Sequence, residues 1–471
     1  MFSHSVQFDP AHPAWADLPT QCAVFALFGP DPNAEPYISR TPNLRNRLRR
    51  LLDPRPDQSK RLRLAQSVTR IEYALTGSEF EAWLLLYAAS LAAFGDRARK
   101  RLHLRNPVLL RMSMENAYPR VYVTNRVTKK AYEHLFGPWP SRVAAENALE
   151  AMLNLFLLRR CVDELHPDPT FPGCVYSEMK KCLAPCFKGC SDQRYAEEAT
   201  AVHAFLATHG QSLIDDLAHQ RDEASTALDF ERAAELHARL SKVESAAALM
   251  PPAVHSLDHL SGLIIQPAAE PDQVALFLLT RGTIAGPIPY SVAGMRLHNE
   301  QSGSSSLFAQ PVAIQPVPLD EAGAPAVKLA ARDELESRLD EALTALKAMA
   351  GTPFVSGFVS GHGEEGFVSG HGFSRAENPP LKRGALAPGS LFPSPKGTQQ
   401  TADHLSLFAR WYYRPQAKRI GEVCFTQPDG ELPKKAILRA ISRVYRQSLP
   451  PAEPSSTGTS ATSGPSGQSS A

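Results

Sequence analysis

Ala23–Leu52 reads AVFALFGPDPNAEPYISRTPNLRNRLRRLL, and the order of elements in this stretch decides the fold class. The apolar run Ala23 to Phe28 fits a short buried strand. The Pro, Asp and Asn that follow fit a turn, and Tyr37 with Ile38 begins a second strand. An Arg-rich helix is expected from about Leu44. Downstream, Ser67 to Leu75 is β-branched enough for another strand. Ser78, with Glu81 three positions on, is a capping-box start for a helix running to about Phe94. Residues 20–105 therefore read as a small α/β unit with a mixed sheet.

Residues 106–192 combine short strands (Val108–Arg111 and Arg120–Thr124) with a helix near Ala144–Leu158 and then a Cys-rich loop. Residues 193–250 are helical in spacing, with Leu213, Leu217, Leu228, Ala233, Leu236 and Leu240 placed for an antiparallel pair. Residues 255–350 form a β unit plus a helix. Its strands are Gly262–Gln266, Val274–Thr280 and Ile284–Val292, its turn lies at Arg281 and Gly282, and its helix is Val327–Met349. The string FVSGHG occurs at Phe358 and again at Phe367, inside a Pro-, Gly- and Ser-rich stretch expected to be a linker over 351–402. Helical pieces at Asp403–Arg414 and Lys434–Gln447 place a helical segment at 403–448, before a tail expected to be disordered at 449–471. The fold class is α+β and multidomain.

With 471 residues the chain exceeds one ordinary core, so two to four units joined by linkers are expected. Hydrophobic residues at 43% and charged residues at 21% fit a soluble protein. The longest apolar stretches are too short for a membrane span, and the N-terminus has no signal-peptide pattern, so a reducing cytoplasm is expected. A net charge of +2 decides little, but its distribution is uneven. Eight Lys or Arg stand between Arg45 and Arg63 against Asp53 and Asp57. Arg40, Arg45, Arg49, Arg50, Arg61 and Arg63 are candidate phosphate contacts, which would bind nucleic acid in a salt-dependent, sequence-independent way. Trp411, Tyr412, Tyr413, Arg414, Lys418 and Arg419 suit either base stacking or core packing.

Five of the seven cysteines fall between Cys161 and Cys190, which in a cytosolic chain favours metal over disulfides. Cys161, Cys174, Cys182 and Cys186 are spaced C-x12-C-x7-C-x3-C, a set of soft donors suited to zinc or to an iron–sulfur cluster. Cys190 is a spare. Arg159, Arg160, Lys180 and Lys181 are expected to lower the thiol pKa values. In LDFERAAELHARL, Leu228–Leu240, a helix exposing Phe230 and Leu240 beside small Ala233 and Ala234 suits close approach of a second hairpin, with Glu231 at the rim.

These strings, taken in order, resemble the UvrC family over roughly residues 20–295. LDFERAAELHARL resembles the UVR motif of UvrC and UvrB proteins, which implies a UvrB-like partner. FPGCVYSEMKKCLAPC resembles the UvrC Cys-rich region, which implies an iron–sulfur cluster, with zinc as the alternative. Ala23–Leu52, EFEAWLLLYAASL, RNPVLLRMSMENAYP and LFGPWPS resemble segments of and around the GIY-YIG nuclease domain. The resemblance places catalytic roles on Tyr37 and Arg47. It also puts Phe25 where the family has a Tyr, Leu51 where it has another Tyr, and Leu86 where a Glu holds a divalent metal. An aliphatic group cannot hold Mg²⁺, so metal binding and cleavage are expected to be lost there. The RNase H-like domain and helix-hairpin-helix pair of the family have no counterpart in the sequence. The main expectation is a DNA-binding accessory protein of nucleotide excision repair. The alternatives are a working metal-dependent endonuclease and a protein-interaction scaffold that does not bind DNA.

Overall fold

The structure is a computed structural model that describes residues 2–52, 67–162, 164–295, 332–350, 397–427 and 429–449. Arg61 and Arg63, the duplicated FVSGHG strings, most of the expected linker and nearly all of the tail lie outside the described residues. The described chain is mixed α/β with three antiparallel four-stranded sheets.

The first sheet contains β1 (His4–Gln7), β2 (Ala23–Phe28), β3 (Tyr37–Thr41) and β4 (Arg70–Leu75), in the order β1-β4-β2-β3. Strand β1 extends the unit upstream of residue 20, where no apolar run announces a strand. All of its residues are exposed, as suits an edge strand. The helix α1 (Leu44–Leu52) buries Leu44, Leu48 and Leu52. Alternation along β2 sends Ala23, Phe25 and Leu27 into the cluster under α1. Val24 instead joins the cluster under α2 (Glu79–Phe94) with Ala74, Ala82, Leu85 and Leu86.

Helix α2 is apolar almost all round, and its surroundings explain why. Its other side, through Phe80, Leu84, Tyr87 and Ala88, enters a cluster shared with Leu135, Ile264, Phe277, Phe408 and Trp411. The expected units are therefore joined through a common interior. At the start of α2, Ser78 Oγ accepts from Glu81 N at 3.1 Å, while Glu81 Oε2 accepts from Gly77 N at 2.9 Å, one residue upstream of a standard capping box. Gly77 lies so close to the end of β9 (Ser261–Pro267) that a Cβ there would sit 2.2 Å from the Pro267 carbonyl oxygen.

Glu81 is buried, and burial raises its pKa to about 7. Because the folded pKa is above the ordinary 4.5, the folded state holds more protons between pH 4.5 and 7, and stability falls as pH rises through that window. Glu81→Gln, which keeps an acceptor for Gly77 N, is expected to stabilise the protein by about 2–3 kcal/mol at pH 8 and to change little at pH 4.5. Denaturant titrations at the two pH values check this, and equal effects at both would contradict it.

The second sheet has the order β6-β5-β7-β8: Val121–Thr124, Val108–Met112, Leu135–Trp139 and His255–Ser256. After α3 (Arg97–Arg101), the helix α4 (Arg142–Leu153) packs on this sheet. It ends short of the expected Leu158, where Leu157 N donates to the buried Glu198 carboxylate at 2.6 Å. A short α5 (Val175–Glu178) lies in the Cys-rich loop. Residues 193–250 hold three helices where two were expected: α6 (Asp192–Ala207), α7 (Gln211–Thr226) and α8 (Phe230–Ala247). The break between α6 and α7 uses Gly210 at φ +85°, a left-handed conformation that suits glycine.

The third sheet runs β11-β10-β9-β12, with β10 at Gln273–Thr280, β11 at Thr283–Ser291 and β12 at Glu422–Phe425. Strand β12 falls in the segment expected to be helical, and it pairs with β9, more than 150 residues earlier. Helix α9 (Arg332–Ala350) buries Leu339, Leu343 and Leu346 in one cluster with α11 (Lys434–Ser448) and this sheet. Helix α10 (Gly397–Tyr412) starts inside the expected linker, which therefore ends before residue 397. Trp411 is 5% exposed and packs with Phe80 and Phe408, so this aromatic serves the core rather than base stacking.

Candidate functional sites

The nuclease-like positions divide between the two faces of the first sheet. Phe25 is fully buried with its ring centroid 6.2 Å from that of Tyr37, and Leu51 joins both in the cluster under α1. Leu86, 6% exposed, is in the other cluster, under α2, with Val24, Ala74 and Ile38. Tyr37 and Leu86 thus lie against opposite faces of one sheet. Arg47 is half-buried on α1. Glu79, two turns before Leu86, is engaged elsewhere: it pairs with Arg40 at 3.0 Å and with both Nη atoms of Arg414. The Arg414 hydrogen bonds, and the Arg40 charge beside them, hold the Glu79 pKa down at about 2.

The basic face of α1 is smaller than its sequence suggests. Arg45 spends its guanidinium on the carbonyl oxygens of Leu18 and Ala16, at 2.6 and 2.8 Å. Arg49 and Arg50 stay exposed, Arg50 with Nε 3.3 Å from Asn46 O. Arg40 belongs to the α2 face.

Cys161, Cys174, Cys182 and Cys186 line one cavity, with Arg159 and Arg160 at its wall. Cys190 is outside that lining. Lys180, Ala184 and Lys188 all have positive φ (51°, 56° and 62°), and these left-handed turns curl the loop so that Cys182 and Cys186 face the same space. Arg159 Nη1 lies 3.5 Å from Cys161 Sγ, and Ala184 N donates to Cys182 Sγ at 3.3 Å. The expected lowering of thiol pKa does not hold for Cys182, which burial pushes up to about 11, nor for Cys186, which burial also raises. One reason is that Arg160 is committed to Glu150 at 2.7 Å and to Leu153 O. Among the described residues, no three His, Cys, Asp or Glu side chains converge tightly enough to hold a single metal ion.

Helices α7 and α8 pack along each other, and α8 faces the core with Leu236, Leu240 and Val243. Leu240, expected on the exposed side, is 5% exposed and belongs to this interior. Phe230 is 67% exposed, Glu231 and Ala234 are exposed, and Ala233 is half-buried. Leu228, expected among the packed apolar positions of the helical pair, lies instead between the two helices, where at 72% exposure and φ +61° it stands beside Phe230 at the tip.

Two family descriptions match this part of the chain: "UvrC/Cho excinuclease, middle domain" over residues 108–205 and "UvrB/uvrC motif" over residues 211–246. Over these residues the chain is similar to UvrC proteins. It is 30% identical over 207 residues to the UvrABC system protein C of Idiomarina loihiensis, covering 42% of this chain and 32% of that protein. It is 32% identical over 200 residues to the UvrABC system protein C of Pseudomonas syringae pv. syringae, covering 42% and 32%. With that of Ectopseudomonas mendocina it shares 29% over 214 residues, covering 44% and 33%. The UvrC-like chain spans about a third of the length of the curated relatives it matches. No solved structure matches it significantly. The two family matches place the thiol cavity within the UvrC middle domain and the Leu228–Phe230 tip within the UvrB/UvrC motif. No helix among the described residues of this UvrC-like chain is long and apolar enough to cross a membrane.

Proposed function

We propose that this UvrC-like chain is a DNA-binding protein of nucleotide excision repair that docks a UvrB-like partner through α7 and α8, with its GIY-YIG-like unit retired from catalysis. The observation that carries the last step is Leu86. The position that the resemblance gives to a metal-holding carboxylate is an aliphatic side chain sealed between helix and sheet. A hard divalent cation needs oxygen donors, and the one carboxylate two turns away is gripped by Arg40 and Arg414. The exposed tip at Leu228 and Phe230, inside the matched UvrB/UvrC motif, supports the partner. Incubation with damaged and branched DNA in Mg²⁺ or Mn²⁺ is expected to give salt-sensitive binding without cleavage. Metal-dependent cuts that vanish in Arg47→Ala would overturn this in favour of the endonuclease reading. Absence of salt-dependent binding would favour a scaffold without DNA.

The reading includes an iron–sulfur cluster held by Cys161, Cys174, Cys182 and Cys186. Four cysteine thiols lining one pocket supply the full set of soft donors that such a cluster takes. When bound, such a cluster would cross-link the two ends of the Cys-rich loop. Arg159 beside Cys161 and the Ala184 amide on Cys182 already point donors at the sulfurs, as negative thiolates require. Anaerobically purified protein is expected to absorb in the visible, and Cys182→Ser is expected to lose most of that absorbance. A colourless protein carrying zinc would overturn the cluster in favour of the alternative metal.

A further inference from the structure

Arg40 from β3, Glu79 and Trp83 from α2, Arg410 from α10 and Arg414 just beyond the end of α10 form one cluster that joins distant parts of the chain. Arg40 and Arg414 both pair with Glu79, and Trp83 Nε1 donates to the same carboxylate at 3.2 Å. The guanidinium carbons of Arg40 and Arg410 lie 4.2 and 4.0 Å from the Trp83 ring centroid. Three guanidiniums therefore surround a single carboxylate, an excess of two positive charges. Arg410 is exposed and has no carboxylate partner among the described residues. Burial and the repulsion of Arg40 and Arg414 lower its pKa, so the cluster is short of negative charge.

We propose that Arg40, Arg410 and Arg414 form a binding site for the phosphodiester backbone of nucleic acid, created where α10 docks on the nuclease-like unit. The inference rests on the DNA-binding reading above and relocates its contact from α1 to the α2 face. Planar guanidinium forks match phosphate oxygens two at a time, and forks anchored on separate elements can take successive phosphates. Salt bridge and aromatic contacts fix the three side chains in advance, so less rotamer freedom is lost on binding. Glu79 is the built-in competitor: it occupies donors of Arg40 and Arg414 until a phosphate replaces it.

The test uses the full-length protein and a fluorescein-labelled duplex, titrated over a range of salt concentrations. Arg410→Ala/Arg414→Ala is expected to bind about tenfold more weakly, with the salt slope shallower by about 2. Glu79→Gln removes the competitor yet keeps an acceptor for Trp83, and is expected to bind several-fold more tightly, a gain that misfolding cannot mimic. If the wild type binds and the double arginine variant matches it in affinity and slope, this site is wrong while the DNA-binding reading stands. If the wild type shows no salt-dependent binding, both fall. Poly-glutamate competing as well as DNA at equal charge would reassign the cluster to an acidic protein and overturn the proposal.

Discussion

Asp403→Ala is expected to cost about 2–4 kcal/mol of stability, because it strands the buried Tyr87 hydroxyl and the half-buried Arg99 guanidinium. Asp403, 1% exposed on α10, accepts from Tyr87 Oη at 3.0 Å, Arg99 Nε at 2.6 Å and Gln399 Nε2 at 3.1 Å. Burial raises the Asp403 pKa, while Arg99 and the two other donors pull it back, which is the balance expected of a carboxylate kept charged by its partners. Truncation would leave the Arg99 guanidinium with Asn106 as its remaining side-chain acceptor, at 2.6 Å, and would leave the Tyr87 hydroxyl inside without its acceptor. The loss should be felt first where α10 meets α2, so limited proteolysis is expected to cut near α10 before the rest of the chain yields. Asp403→Asn, which keeps an acceptor for Tyr87, is expected to lose less. Denaturant unfolding that moves by under about 1 kcal/mol in the alanine variant would show that the network does not hold α10 in place.

This contact also shows where sequence reading stopped. The local elements of the first unit were legible: the apolar run at Ala23, the Tyr37 strand, the Leu44 helix and the Ser78 start all depend on neighbours within a few residues. Strand β12 was not legible, because Glu422–Phe425 is short and half-buried and takes its conformation from β9. The apolar circumference of α2 announced burial on every side, but not that α10 supplies one of its neighbours. The same limit applies to the sites. Four cysteines at fixed spacing pointed to one cavity, because a loop of that length can curl on itself. The charge of a guanidinium is visible in sequence, whereas its commitments are not: Arg45 ends on backbone carbonyls and Arg40 on Glu79. Arg410 gave no signal, since its neighbours Arg40 and Trp83 are more than three hundred positions away.

The second large effect is expected at the tip between α7 and α8, where Leu228→Gly/Phe230→Ala should weaken binding to a purified UvrB-like protein by about 30-fold or more. Two large apolar side chains stand 72% and 67% exposed there, while Leu236, Leu240 and Val243 of the same helical pair are buried in the core. The core therefore fixes the helices and leaves the tip as the surface on offer. The tip is also rigid: Asp229 Oδ1 accepts from Arg232 N at 3.0 Å and caps α8, and Leu228 N donates to Ser225 O at 3.0 Å. Exposed apolar side chains on a stiff backbone suit an interface anchor, since little order remains to be imposed on binding. The glycine serves as an internal control. At φ +61° Leu228 is strained and glycine is not, so the double variant is expected to fold with unchanged or slightly higher stability. A loss of affinity without a loss of stability can then be assigned to the missing side chains. Isothermal calorimetry giving wild-type affinity for the double variant would remove the tip from the interface and leave the partner to bind elsewhere on the helical pair.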